Sequence, residues 1–234
     1  NDIAYTEEGA TNTLKYKRVV PAPQLDYSYT FEYYYKALGQ KDYTLVDLTD
    51  EQQAILDGAK GETMAKVMKT LVMFGEAFHA EKMVPVTSRY NHLVTSFGLG
   101  VLQPVYDLMQ QLIDAGAVSG QQFSADPRPL DPNVPANLLQ QLVFKKFMYN
   151  KQDFYEGQLE KLGLLNKDAF TCTCYMPEVG NKPEKGEVLS WSESSAVVNA
   201  NSVLGARCNR NSGMIELMGS IAGFVPEFGL LLDE

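Results

Sequence analysis

The sequence predicts an α/β protein with a mostly parallel sheet. Short apolar runs bounded by turn residues, such as "KMVPV" at 82–86, read as buried strands. Longer segments place apolar residues at helical spacing. The two kinds alternate from about residue 46 onward, the pattern of strands joined by crossover helices. A chain of 234 residues fits one large domain or two small ones and is long enough to bury a sizeable core.

Residues 1–45 stand apart. They hold eight of the thirteen tyrosines, including Tyr33, Tyr34 and Tyr35, and show no sustained helical period. They read as a Tyr-rich N-terminal arm, either contacting another subunit or folded back on its own domain. Residues 46–234 form the second region. In "LTDEQQAILDG", Thr49 as N-cap with Gln52 three residues on makes a capping box. Met64, Met68, Leu71 and Val72 then share one helical face. Pro104 suits the first position of a helix that carries Val105, Leu108, Met109, Leu112 and Ile113 and stops at Gly116. "QQFSADPRPLDPNVP" (121–135) opens a strand end into a loop whose prolines forbid regular structure. Leu138, Leu139, Leu142, Lys146 and Phe147 suggest a helix, and "DFYEGQLEKLG" another. "DAFTCTCYM" alternates, so Phe170, Cys172 and Cys174 are expected on one strand face. "EVLSW" (187–191) is a further strand. Ser192 is expected to cap a helix bearing Ala196, Val197, Ala200, Val203 and Leu204, and "GMIELMGSIAG" gives a short helix striped by Met214, Leu217, Met218 and Ile221. The end, "FGLLLDE", reads as a strand, and the fold is expected to be incomplete at the C-terminus.

Composition narrows the function. A formal net charge of -9 disfavours non-specific binding to nucleic acid or an anionic membrane. No apolar run approaches the ~20 residues of a membrane helix. Three cysteines are too few for a disulfide scaffold and favour a reducing, cytoplasmic setting. No P-loop, GxGxxG or HExxH occurs; His79 and His92 are the only histidines, and neither sits in a metal-pair motif.

The three thiols, Cys172, Cys174 and Cys208, fall in one stretch. On a strand, residues two apart have Cα atoms roughly 6.5–7 Å apart, awkward for a mutual disulfide. Core packing, a metal or cluster role, and redox chemistry all stay open. The segment "SESSAVVNANSVLGARCNRN" sets Ser194, Ser195, Asn199, Asn201 and Ser202 beside an apolar stripe and adds Arg207 and Arg210. Such a face suits either a pocket in which arginine grips an anion or a buried helix with packed Ser and Asn.

"LTDEQQAILDGAKGE", "GEAFHAEKMVPVTS", "CTCYMP" and "WSESSAVVNANSVLGARCNRN" together resemble the aconitase X family, in its large subunit or catalytic part, across about residues 48–229. The resemblance implies an aconitase-like fold and a hydro-lyase that uses an iron–sulfur cluster as Lewis acid on a small anionic hydroxy acid, expected first to be cis-3-hydroxy-L-proline-like, with mevalonate 5-phosphate as the alternative. It implies as partners a small swivelling domain or subunit and the remainder of the large chain. Under it, Cys172, Cys174 and Cys208 are candidate metal ligands and Ser88, Ser194 and Ser195 candidate catalytic residues. Asn199, Asn201, Ser202, Arg207 and Arg210 are candidate substrate-binding residues. The departures are Tyr90 where the family carries His, Met176 before Pro177, and Cys208 where Thr is common. They keep a second reading in view, a non-catalytic partner subunit with a degenerate site, and a third, a dehydratase using another metal.

Overall fold

The computed structural model describes residues 46–233, apart from 132, 136 and 168, together with the strands β1 (Asp2–Ala4) and β2 (Lys15–Lys17). The chain divides into two compact units, 1–45 and 46–234. In the first, β1 and β2 pair antiparallel with Asp2 opposite Lys17. The rest of the Tyr-rich arm lies outside the described residues.

The second unit opens with α1 (Asp50–Leu56), and its capping box is formed in both directions: Gln52 N–H donates to the Thr49 hydroxyl and Thr49 N–H to Gln52 Oε1. Helix α2 (Glu62–Ala77) buries Met68 and Leu71 completely, while Met64 and Val72 pack at the margin of the same core. Helix α3 (Gln103–Asp114) starts with Pro104 in its first turn and buries Tyr106, Met109 and Leu112. Leu159 and Leu162 come to the same core from α5 (Gln152–Leu162), and Leu217 from α7 (Gly213–Ala222). Between α3 and α5, α4 (Leu138–Gln140) runs on as a π-helix, Gln141–Met148; neither segment buries a side chain. The remaining helix, α6 (Ser194–Asn199), likewise continues as a π-helical turn, Ala200–Leu204.

The strands are short. β4 (Asn91–Leu93) and β5 (Phe123–Ala125) form a parallel ladder, and single parallel bridges from His92 to Trp191, Phe123 to Leu164 and Ala125 to Phe170 extend it on both sides. β3 (Met83–Pro85) and β6 (Phe224–Pro226) instead pair antiparallel. The expected mostly parallel sheet is thus replaced, in this unit, by two separate two-stranded sheets, one parallel and one antiparallel. Val86 N–H to the Gly223 carbonyl and Glu227 N–H to the Lys82 carbonyl, each at 2.9 Å, continue the antiparallel pairing at both ends. Two expected strands are corrected. "FGLLLDE" holds a 3₁₀ turn at Gly229–Leu231. "DAFTCTCYM" joins the ladder only at Phe170, because Thr173 N–H turns back to the Thr171 hydroxyl at 3.1 Å, a local bond that competes with strand pairing.

Candidate active site

The parallel ladder brings three chain segments to one edge. Asp126 follows β5, and Glu193 follows Trp191, which bridges in parallel to His92 of β4. Carboxyl ends of parallel strands are the usual ligand-binding edge of open α/β sheets. His92 is fully buried and meets Trp191 edge-on at 5.8 Å between ring centroids. Its Nδ1 lies 2.9 Å from the Ser124 hydroxyl, and its Nε2 lies 3.2 Å from Asp126 Oδ1. That last pair is close but off the line of a good hydrogen bond, and neither atom has another hydrogen-bond partner. Asn181 donates both to Ser124 Oγ at 2.9 Å and to the Asn91 carbonyl at 2.8 Å.

A second layer lies behind. Ser88 and the Ser190 N–H both donate to Asn91 Oδ1, at 3.1 and 3.3 Å. The Ser190 hydroxyl sits 2.6 Å from Glu216 Oε2 and 2.7 Å from the Glu216 carbonyl, and Asn211 donates to Glu216 Oε1 at 2.6 Å. Burial pushes the Glu216 carboxyl up to about 8, against the lowering effect of Ser190 and Asn211. A neutral Glu216 gives a consistent proton arrangement: its O–H donates to Ser190, and Ser190 donates to the carbonyl.

The expected site residues fall into distinct places. Cys172 and Cys174 do not share a face: Cys172 is exposed, and Cys174 is buried. Cys174 joins Cys208 in a cluster with Trp191, Ala196, Val197 and Ala200. Asn201 secures this corner by donating to the Cys208 carbonyl at 2.9 Å and accepting the Cys208 N–H at 3.2 Å. Ser192 is not the cap of α6. It accepts the Val94 N–H at 2.7 Å, and Glu193 caps the helix by accepting from Ser195 N and Ala196 N. The Ser194 and Ser195 hydroxyls also donate to the Glu193 carboxylate. Burial works to raise the Glu193 carboxyl, but the hydrogen bonds from Ser195 and Ala196, with nearby His92, leave its pKa lowered. Asn199 Oδ1 is buried without a hydrogen-bond partner. Ser202 and Arg210 are exposed, and so is Val203, expected in the apolar stripe. Arg207 turns to the Leu231 carbonyl and the Asp233 carboxylate.

The thiols test the implied cluster. An iron–sulfur cluster needs several thiolates. Burial raises the Cys174 thiol, with the Glu193 charge adding to it; burial also raises Cys208, with Glu216 adding. Among the described residues no three His, Cys, Asp or Glu side chains come together as a metal site. These residues alone do not fit a cluster. Sequence reasoning missed His92, Asp126, Glu193 and Glu216. The two histidines were set aside for lack of a motif, and the pairing of His92 with Asp126 spans 34 positions that only the ladder brings together.

A family model described as the aconitase X first domain matches residues 45–234. The chain belongs to the aconitase X family. The phosphomevalonate dehydratase large subunit of Thermococcus kodakarensis is 32% identical over 189 residues, covering 80% of this chain and 44% of that protein. The cis-3-hydroxy-L-proline dehydratase of Pseudomonas aeruginosa is 39% identical over 66 residues, covering 28% of this chain and 11% of that protein. The crystal structure of Thermococcus kodakaraensis aconitase X in its holo-form matches with a TM-score of 0.63 at 30% identity, over 80% of this chain and 44% of that one. The chain thus spans under half the length of the aconitase X large subunits it matches. The aconitase-like fold inferred from the sequence motifs is the fold observed.

Proposed function

We propose that this chain contributes the first domain of a hydro-lyase that dehydrates a small anionic hydroxy acid, with phosphomevalonate favoured over cis-3-hydroxy-L-proline. The observation that carries the chemistry is the close approach of His92 and Asp126 at the carboxyl edge of the β4–β5 ladder. Dehydration removes a C–H proton to a base and a hydroxyl as water, so it needs a positioned proton-handling group. A buried imidazole beside a partly exposed carboxylate supplies one. Glu193 adds negative charge beside it but is engaged by the helix that it caps.

The substrate preference differs from the proline derivative favoured by the motifs alone. It is supported by relatives called phosphomevalonate dehydratase large subunits, which align along 80% of this chain. Of the proline-type relatives, the one from Pseudomonas aeruginosa matches over only 66 residues, and the one from Hypocrea jecorina, over 196 residues, is only 23% identical. The words "large subunit" in those names support a small-subunit partner here.

The test is to assemble the chain with the remainder of a large subunit and a small subunit under anaerobic conditions. Turnover of both substrates, bound iron and acid-labile sulfide are then measured. Faster dehydration of phosphomevalonate supports the reading. Stable assembly without turnover of any hydroxy acid leaves the non-catalytic subunit in its place.

A further inference from the structure

We propose that Arg128, and neither Arg207 nor Arg210, holds the phosphate of the substrate, in the cavity between the proline-rich loop after β5 and the π-helical segment Gln141–Met148. The proposal rests on the dehydratase reading for the identity of the ligand; the site stands on the placement of the guanidinium.

Local chemistry puts Arg128 at the carboxyl edge of the parallel ladder. Asp126 and Arg128 each precede a proline, and a residue before proline is kept out of the helical region. The two prolines thus favour an extended exit from β5, which sets Arg128 roughly 6–7 Å beyond Asp126. Phe170 bridges to Ala125, the last residue of β5, and the Arg128 guanidinium lies over its ring at 4.0 Å. Helix α5 gives a second hold. Arg128 Nε donates to Glu156 Oε2 at 2.9 Å, and Gln152 Nε2 fixes that carboxylate by donating to Glu156 Oε1 at 2.8 Å. Nη2 donates to the Lys167 carbonyl. A ring under one face, a carboxylate and a carbonyl hold the guanidinium before any ligand arrives, so little freedom is left to lose on binding.

Hydrogen-bond accounting shows what the group still offers. A guanidinium has five N–H donors. Glu156 and the Lys167 carbonyl take two, and the other three make no hydrogen bond among the described residues. Arg128 lines a cavity of about 720 Å³, a size usual for small-molecule sites, with Leu130 and Phe144 among its apolar walls. Of the charged side chains around it, Asp131, Lys145 and Asp153 are exposed and screened by water. The inner pair is Arg128, 17% exposed, and Glu156, 20% exposed. Both Glu156 oxygens are already engaged, so the free donors of Arg128 are what this wall presents to a ligand. Several parallel N–H donors on a cation suit the oxygens of a phosphate.

Distance favours the phosphate over the carboxylate. In a 3-hydroxy acid the proton that leaves is on the carbon beside the carboxylate, which keeps the carboxylate near His92 and Asp126. Phosphomevalonate carries its phosphate at the far end of its carbon chain, several bonds away, as Arg128 is removed from Asp126. The arginines first expected in this role are placed elsewhere: Arg207 turns to Asp233, and Arg210 is exposed.

The test compares two ligands that differ only in the phosphate. The assembled enzyme is titrated calorimetrically with phosphomevalonate and, separately, with mevalonate. The parent should bind phosphomevalonate more tightly. Arg128→Gln should weaken phosphomevalonate roughly 10- to 100-fold, the effect of a lost charged hydrogen bond, and leave mevalonate nearly unchanged. Arg128→Lys keeps the charge without the planar fork and should fall between the two. In turnover, Arg128→Gln should raise KM for phosphomevalonate with little change in kcat. A merely structural role would weaken both ligands alike. Equal losses in both variants, an unchanged affinity for phosphomevalonate, or a parent that binds the two ligands equally overturns the proposal. An assembly that binds phosphomevalonate through Arg128 and never dehydrates it keeps this site and removes the dehydratase reading. Turnover of phosphomevalonate that ignores the loss of Arg128 keeps that reading and removes the site.

Discussion

Glu216 has almost no exposed surface and is kept neutral by that burial, its pKa pushed up to about 8. For an acid whose folded pKa lies above its unfolded value near 4.5, the folded state holds the proton more tightly. Its stabilising contribution is complete below about pH 4.5 and is lost as pH rises towards 8, with an upper bound of roughly 5 kcal/mol. Thermal melts across pH 5 to 8 should therefore show falling stability, and Glu216→Gln should flatten that slope. A parallel slope in the variant would remove Glu216 as its source. Glu216 was not legible in the sequence. The stripe of Met214, Leu217, Met218 and Ile221 predicts a short amphipathic helix and leaves Glu216 on the wet side. Helix α7 is in fact buried from Glu216 through Ala222, so the charged letter had to become an uncharged, hydrogen-bonded group. The site of His92 is hidden for the related reason that its neighbours, Ser124 of β5 and Asp126 just after it, lie more than 30 positions away.

At the scale of elements, local chemistry was largely readable. The Thr49–Gln52 box, the Met68–Leu71 stripe and the Pro104 start are properties of neighbouring residues, and they formed as expected. Thr49→Ala should cost about 1 kcal/mol in a denaturant titration, the usual value of a lost N-cap. The joint between α7 and β4 is far less tolerant. A Cβ built on Gly213 would lie 1.3 Å from the Val94 carbonyl oxygen. Backbone stands there instead of a flexible side chain, so Gly213→Ala should cost about 3 kcal/mol or more and lower the thermal midpoint. A variant as stable as the parent would show that α7 can shift on β4. What the period could not reveal was the Thr171–Thr173 turn, which places Cys174 in the core and Cys172 in solvent.

Among the described residues of the second unit, one apolar surface stands out. The α4 helix and its π-helical continuation expose Leu138 at 75% and Phe147 at 74%, with Leu139, Leu142, Val143, Phe144 and Met148 also exposed. An apolar run of this extent marks a surface that associates. The chain by itself should form concentration-dependent oligomers in light scattering, and Leu139→Lys with Phe147→Lys should restore a monomer. Oligomers that persist in the double variant would place the contact elsewhere. Among the described residues no helix is long and apolar enough to cross a membrane, which agrees with the composition.

The sequence by itself determined the family, the Thr49–Gln52 cap, the Met68–Leu71 stripe and the confinement of the thiols to one segment, because each depends on residues near one another in the chain. Only the tertiary structure decided which polar groups share a site. The parallel pairing of β4 with β5, and of His92 with Trp191, sets His92, Ser124, Asp126 and Glu193 side by side and sends Arg207 to Asp233 instead. The physical reason is burial. A polar group taken out of water must find its partner wherever the fold supplies one, and the distance between partners along the chain plays no part in that requirement.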